Sequence, residues 1–180
     1  SNIRVYFVGE GAGYHNTLCF NTEGPAISSG TPQLIFPDAS RRAGQTSESY
    51  PVNTGDFVEL GQFSAGTSLD FFLIANGANG GSHVFTTDTD SNLDGLQHVV
   101  SFAVQDSSYL FLGFEDIYGG GDRDYDDLLF AVDIGFSNVQ ELIQTSALVP
   151  EPEEVLIMIV FLLFLGKYLI DNKKLKEIHT

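Results

Sequence analysis

The chain has 180 residues, enough for one core of ordinary size plus a tail, and its 24 acids against eight Lys and Arg give a formal net charge of −16. All four lysines (Lys167, Lys173, Lys174, Lys176) lie at or beyond a C-terminal apolar run, so Ser1–Leu148, with four arginines and 19 acids, carries −15. Such a body repels nucleic-acid phosphates, which excludes nucleic acid as a partner, and it attracts cations.

Ser1 stands first and no apolar leader follows it, as expected for a mature form whose export signal is gone. Up to about Phe136 the chain reads as short strands separated by Gly, Asn, Asp, Ser and Pro. The predicted strands are Ile3–Val8, Thr17–Phe20, Gln33–Phe36, Asp56–Phe63, Ser68–Ala75, Ser82–Thr86, Gln97–Val104, Ser108–Phe114 and Asp127–Ile134. They are rich in β-branched and aromatic residues, which suit a pleated, half-buried surface. In the first, Ile3, Val5 and Phe7 share one face, with Arg4 and Tyr6 on the other, the period of a sheet with one buried side. This pattern predicts an all-β domain over 1–136, a β-sandwich of jelly-roll type. Residues 137–152 read as a linker, with a short helix as the alternative over Ser137–Leu148.

The single cysteine, Cys19, excludes an internal disulfide. Its apolar strand setting suits a small core residue better than a thiol that pairs with a partner. Gly9-Glu10-Gly11-Ala12-Gly13 follows a strand as a phosphate loop would. No helix pattern follows it, and Glu10 would repel phosphate. His15, His83, His98 and His179 lack zinc-like spacing, and no Ser-His-Asp order marks a nucleophile. Paired carboxylates could imitate a glycosidase, but a crowd of acids on a glycine-rich loop suits a metal better, so no enzyme is expected. Asp70, inside an apolar strand, either faces out or leans toward a cation.

Val155–Ile170 is apolar except for Lys167. Sixteen helical residues span roughly 24 Å, against a hydrocarbon core of about 30 Å. Snorkelling by Lys167 and local thinning of the bilayer would close the gap. A buried core helix or an interfacial one is the alternative. Uniform apolarity beside a β-sandwich favours a transmembrane helix over 153–172, with 173–180 as a basic tail. Lysines follow the run, while Glu151, Glu153 and Glu154 precede it. The expected orientation therefore has the tail in the cytoplasm and the β domain outside.

Val149-Pro150-Glu151-Pro152, an apolar helix and a basic end resemble the PEP-CTERM sorting signal of bacterial envelope proteins. That resemblance implies an exosortase as partner and a single-pass place in the bacterial inner membrane, with the domain in the periplasm. The Glu153-Glu154 pair, Lys167 and the mixed tail depart from the compact arginine-rich end of that family.

The sharpest local signal runs from Gly113 to Phe130. Glu115, Asp116, Asp122, Asp124, Asp126 and Asp127 fall within thirteen residues, around Gly119-Gly120-Gly121. Glycines let the backbone approach an ion closely, and calcium takes six to eight oxygens. Such crowded acids repel unless a cation or water separates them, and Arg123 alone cannot neutralise them. A bound Ca2+ is expected, with a solvated acidic hairpin as the alternative. If the segment is extended, Asp122, Asp124 and Asp126 share one side and Asp127 faces the other.

This stretch resembles the domain-of-unknown-function 4114 family, whose hallmark is a GFED…GGGD-D-D-x-x-F segment. Gly9–Leu18, Ile35-Phe36, Gly55-Asp56 and Leu69–Leu73 follow the same order upstream. The resemblance implies a calcium-binding β-sandwich of secreted or surface proteins, without a known activity. By residue match it implies Glu115, Asp116, Asp122, Asp124 and Asp127 as ligands. Asp126 stands where the family commonly has Asn.

A second cluster, Asp88, Asp90, Asn92 and Asp94 before Gly95, carries oxygens at alternate positions like the start of a calcium loop. Leu93 stands where a calcium-binding hand needs Gly, no Glu closes the loop, and turn chemistry alone accounts for these residue types. Asn92, Asp94 and His98 also recur in the family pattern. The two loops share one site if their hairpins lie side by side.

The functional expectation is a non-enzymatic, membrane-anchored, extracytoplasmic calcium module for envelope adhesion or scaffolding. One alternative is an accessory subunit of a large membrane complex, held by its helix. The other is a calcium-dependent carbohydrate-binding module, using Tyr14, Tyr50, Tyr118 and Tyr125.

Overall fold

Alternation of apolar and polar residues along β1 (Ile3–Gly9) sets the plan of the fold. Val5 and Phe7 are fully buried. On the opposite face Arg4 pairs with Glu59 at 3.1 Å and Tyr6 meets the rings of Phe57 and Tyr109. A computed structural model describes residues 2–23, 32–41 and 51–146 of the protein.

The other strands are β2 (Thr17–Glu23), β3 (Gln33–Phe36), β4 (Phe57–Gly61), β5 (Ser68–Ile74), β6 (Val84–Thr86), β7 (Val99–Ala103), β8 (Tyr109–Phe114) and β9 (Leu128–Asp133). Each matches a strand read from the sequence, mostly with ends trimmed by one or two residues. They form two antiparallel sheets, ordered β4-β1-β9-β8-β7 and β3-β2-β5-β6. One core joins them. Phe71 of the smaller sheet meets Phe130 of the larger, ring centroids 5.3 Å apart, and Phe114 stacks on Phe130 at 6.0 Å. Burying one such aromatic contributes about 1.5–3 kcal/mol. Cys19 is buried and free, as a small core residue would be.

Residues 137–146, read as linker or short helix, belong to helix α1 (Phe136–Ser146). Gly135 introduces it with φ +86°, and Asn138 Nδ2 donates to Ile134 O at 2.7 Å. Val139 is fully buried on one side of the helix. Among the described residues, no helix is long and apolar enough to cross a membrane. The run at 155–170, the Val149–Pro152 motif and the basic tail lie outside the described residues.

Register decides where the acids go. β9 lies between β1 and β8, and Phe114 pairs with Leu128. One residue beyond that pair stand Glu115 and Asp127. The antiparallel hairpin therefore brings both halves of the acidic segment to the same end of the sheet. At that end Gly11 N donates to Asp126 O at 2.9 Å, and Glu115 N to His98 O at 2.9 Å.

Candidate metal centre

Glu115 is the hub. Its carboxylate belongs to two trios, Glu115–Asp116–Asp127 and Glu115–Asp122–Asp124, in each of which one oxygen per residue lies within 4.8 Å of the others. Glu115 is 1 % and Asp116 3 % exposed, while Asp122 and Asp124 are exposed. One trio is thus sunk into the end of the sheet and the other opens to solvent.

The loop between the strands is curled rather than extended, which corrects the alternating arrangement read from the sequence. Gly119, Gly120, Gly121, Arg123 and Tyr125 all have φ between +42° and +89°. The left-handed turns bring Asp122 and Asp124 back over Glu115 and leave Asp126 in neither trio, beside Gly11. At Gly121 a Cβ would sit 2.0 Å from Glu115 Oε1, so the glycine is required by space as well as by φ +42°.

Each carboxylate has a defined setting. Arg123 N donates to Glu115 Oε2 at 3.1 Å, whereas Glu115 Oε1 is buried without a hydrogen-bond partner among the described residues. Asn16 Nδ2 donates to Asp116 Oδ2 at 2.7 Å, and Asp116 N to Asp127 Oδ2 at 2.9 Å. Burial, then the neighbouring Asp127, pushes Glu115 up to about 8. Burial raises Asp116 to about 6 despite the amide of Asn16, with Asp127 and Glu10 adding to the rise. Burial, with Asp124 and Asp127 next to it, raises Asp126 to about 6. Burial and neighbouring carboxylates thus disfavour the charged forms of all three carboxyls, and a positive charge close by would favour them.

The second acidic loop lies alongside, and the side chains of Asp88, Asn92 and Asp94 take hydrogen bonds within the fold. Asp88 caps the 3-10 turn Thr89–Ser91, accepting from Asp90 N and from Ser91 Oγ at 2.7 Å. Asp90 is exposed. Asn92 accepts from Thr86 N at 2.7 Å and donates to Leu96 O at 2.8 Å. Asp94 accepts from Gly119 N, His98 Nε2 and Leu96 N at 2.8–3.1 Å. Burial alone would raise Asp94; these donors outweigh it and hold the carboxyl at about 2. His98 is fully buried between Asp94 and Glu115 O and stacks on Phe85, centroids 3.8 Å apart. None of Asp88, Asp90 and Asp94 enters either carboxylate trio; Asp94 instead ties its loop to Gly119. Asp70 accepts from Thr87 Oγ1 and does not enter a trio.

Two residues gain weight that sequence reasoning did not give them. Glu10 is pushed up by burial, and its Oε2 has no hydrogen-bond partner among the described residues. Asn16 is fully buried and spans from Asp116 to Asn76, whose N donates to Asn16 Oδ1 at 2.9 Å. The chain positions alone do not reveal that β1 ends beside β9. His15, Asp38 and Ser40 also meet, but Asp38 and Ser40 both contact Nδ1 of the imidazole. A nucleophile relay needs its two partners on opposite ring nitrogens.

The donor set decides which cation fits. Both trios are made of carboxylates alone, hard oxygen donors without His or Cys, and Glu115, common to both, has a buried oxygen without a hydrogen-bond partner among the described residues. This buried cluster could bind a metal ion, and its chemistry suits a hard divalent cation.

Residues 63–135, which run from just before β5 to just after β9, match the family model described as "Domain of unknown function (DUF4114)". The matched span contains every residue of both trios. No curated protein and no solved structure matches the chain.

Proposed function

We propose that this protein is a calcium-binding β-sandwich module without catalytic activity, displayed on the outer face of a membrane and serving attachment or scaffolding. Glu115, Asp116, Asp122, Asp124 and Asp127 supply the ligands. The observation that supports this most is the orphaned Glu115 Oε1, buried at 1 % exposure among four other carboxylates. Leaving a buried carboxylate oxygen unpaired costs free energy that a coordinated cation returns.

In this reading calcium joins the end of β8, the start of β9 and the loop between them. Asp94, Asn92 and His98 hold the neighbouring loop against Gly119. The acidic body supports a role at a surface where cations are abundant, and Val155–Ile170 is the proposed membrane anchor, with the VPEP motif a proposed exosortase signal. Calcium titration by calorimetry, with elemental analysis of the purified chain, tests the reading. Saturable binding through carboxylates is expected; no heat and no bound metal would end it.

A further inference from the structure

Beside the buried trio lies a pocket of about 380 Å³, bounded by Tyr14, Asn76, Ser82, His83, Asp116 and Tyr118. Its volume falls within the range of small-molecule sites. We propose that this pocket binds one neutral sugar residue.

The walls carry the assignment. Tyr14 is 45 % and Tyr118 52 % exposed, and Tyr118 lies against the imidazole of His83 with centroids 5.8 Å apart. Aromatic faces held at a surface suit the apolar C–H face of a pyranose, while their polar tips stay wet. Asn76 Oδ1 already accepts from His15 N and Asn79 Nδ2, so Asn76 offers its Nδ2, and Ser82 its hydroxyl, to ring hydroxyls. No lysine or arginine lines the pocket, and the surrounding body carries −15. An anionic ligand is therefore repelled. An ammonium ligand would need the charge of Asp116, which a cation in the adjoining trio neutralises.

The pocket is also prebuilt. Asn76 is left-handed at φ 52° and accepts from His15 N at 3.1 Å, and its N donates to Asn16 Oδ1. Gly81 N donates to Asn76 O at 2.9 Å, and a Cβ on Gly81 would come within 2.0 Å of Ala75 O. A fixed wall lowers the ordering cost of binding. Asn16 connects that wall to Asp116, so the sugar reading rests on the cation reading through Asp116 alone.

The test uses the full chain and a panel of methyl glycosides of glucose, mannose, galactose and N-acetylglucosamine, with glucuronate as the acidic member. Saturation-transfer NMR and calorimetry are run in calcium and in chelator, beside calcium titrations of the same samples. At least one neutral glycoside binds. Tyr14→Ala and Tyr118→Ala each weaken it by about tenfold or more while leaving calcium affinity unchanged, and Tyr14→Phe retains binding. No neutral glycoside bound, preferential binding of glucuronate, or sugar binding indifferent to both alanine variants overturns the proposal. If calcium uptake fails, the cation reading falls, and the same two tyrosine variants still decide the pocket.

Discussion

Asn16 and Asp116 stand 100 residues apart in sequence and meet in the interior, the amide Nδ2 donating to Asp116 Oδ2 at 2.7 Å. The other end of the same amide accepts from Asn76 N at 2.9 Å. One fully buried side chain thus fixes a carboxylate of the proposed cation site and a wall of the pocket. Asn16→Ala leaves Asp116 and Asn76 N without these partners. A loss of about 2–3 kcal/mol is expected, read as a lower urea midpoint. An unchanged midpoint would mean that the amide is replaceable by water.

Glycines in the acidic loop separate space from backbone strain. Gly121→Ala places a methyl on Glu115 Oε1, whereas at Gly119 nothing lies within 4 Å of a Cβ and only φ +89° resists substitution. Calcium titrations should show affinity falling at least about tenfold in Gly121→Ala, about 1.4 kcal/mol. Gly119→Ala costs about 1 kcal/mol of stability with affinity nearly intact. Equal calcium affinities in the two variants would contradict the close approach at Gly121.

The pH dependence of the chelated protein follows from the raised carboxyls. Unfolded Asp and Glu titrate near 4, while Glu115 is held at about 8 and Asp116 and Asp126 at about 6. Between about pH 4 and 8 the folded state therefore keeps protons that the unfolded chain has released, and stability falls as pH rises. Asp94, held at about 2, acts oppositely: its contribution is present above about pH 4 and is lost as pH falls toward 2. Melting in chelator should be highest near pH 4–5. Calcium should restore stability at neutral pH by favouring the ionised forms. A flat profile in chelator would show that the carboxyls are hydrated.

The loop anchored by Asp94 gives a contrasting expectation. Asp94→Ala removes the acceptor of Gly119 N, Leu96 N and His98, and a loss of about 2–4 kcal/mol is expected in urea unfolding. The number of calcium ions bound should not change, because Asp94 lies in neither trio. A lost calcium ion in calorimetry would make Asp94 a ligand.

The strands were legible because they are runs of β-branched and aromatic residues between turn residues, and β1 alternates cleanly, with Val5 and Phe7 inward and Arg4 and Tyr6 outward. The acidic hairpin was legible because its residues are close in sequence. The curl of residues 119–125 was not: Arg123 and Tyr125 adopt left-handed angles that their types disfavour, with Arg123 N donating to Glu115 Oε2. Spacing could not show which acids of the second loop take backbone N–H groups either. Asp88 accepts from Asp90 N within its own turn, whereas Asp94 accepts from Gly119 N, 25 residues on, a bond that depends on how the fold sets the two loops. Glu10 acquires its place from the pairing of β1 with β9, and Asn16 from standing just before β2, which pairs with β5 near Asn76.

Thermal melting of the wild-type chain and of Glu115→Gln, each in calcium and in chelator at pH 8, bears most directly on the buried carboxylate as a cation hub. In the wild type, calcium at ~100 times its Kd should raise the melting temperature by roughly 5–10 °C. Glu115→Gln, which removes the buried charge, should melt no lower than wild type in chelator and gain almost nothing from calcium. A wild type that melts at one temperature in both conditions, or a Glu115→Gln variant with the full calcium shift, would contradict it.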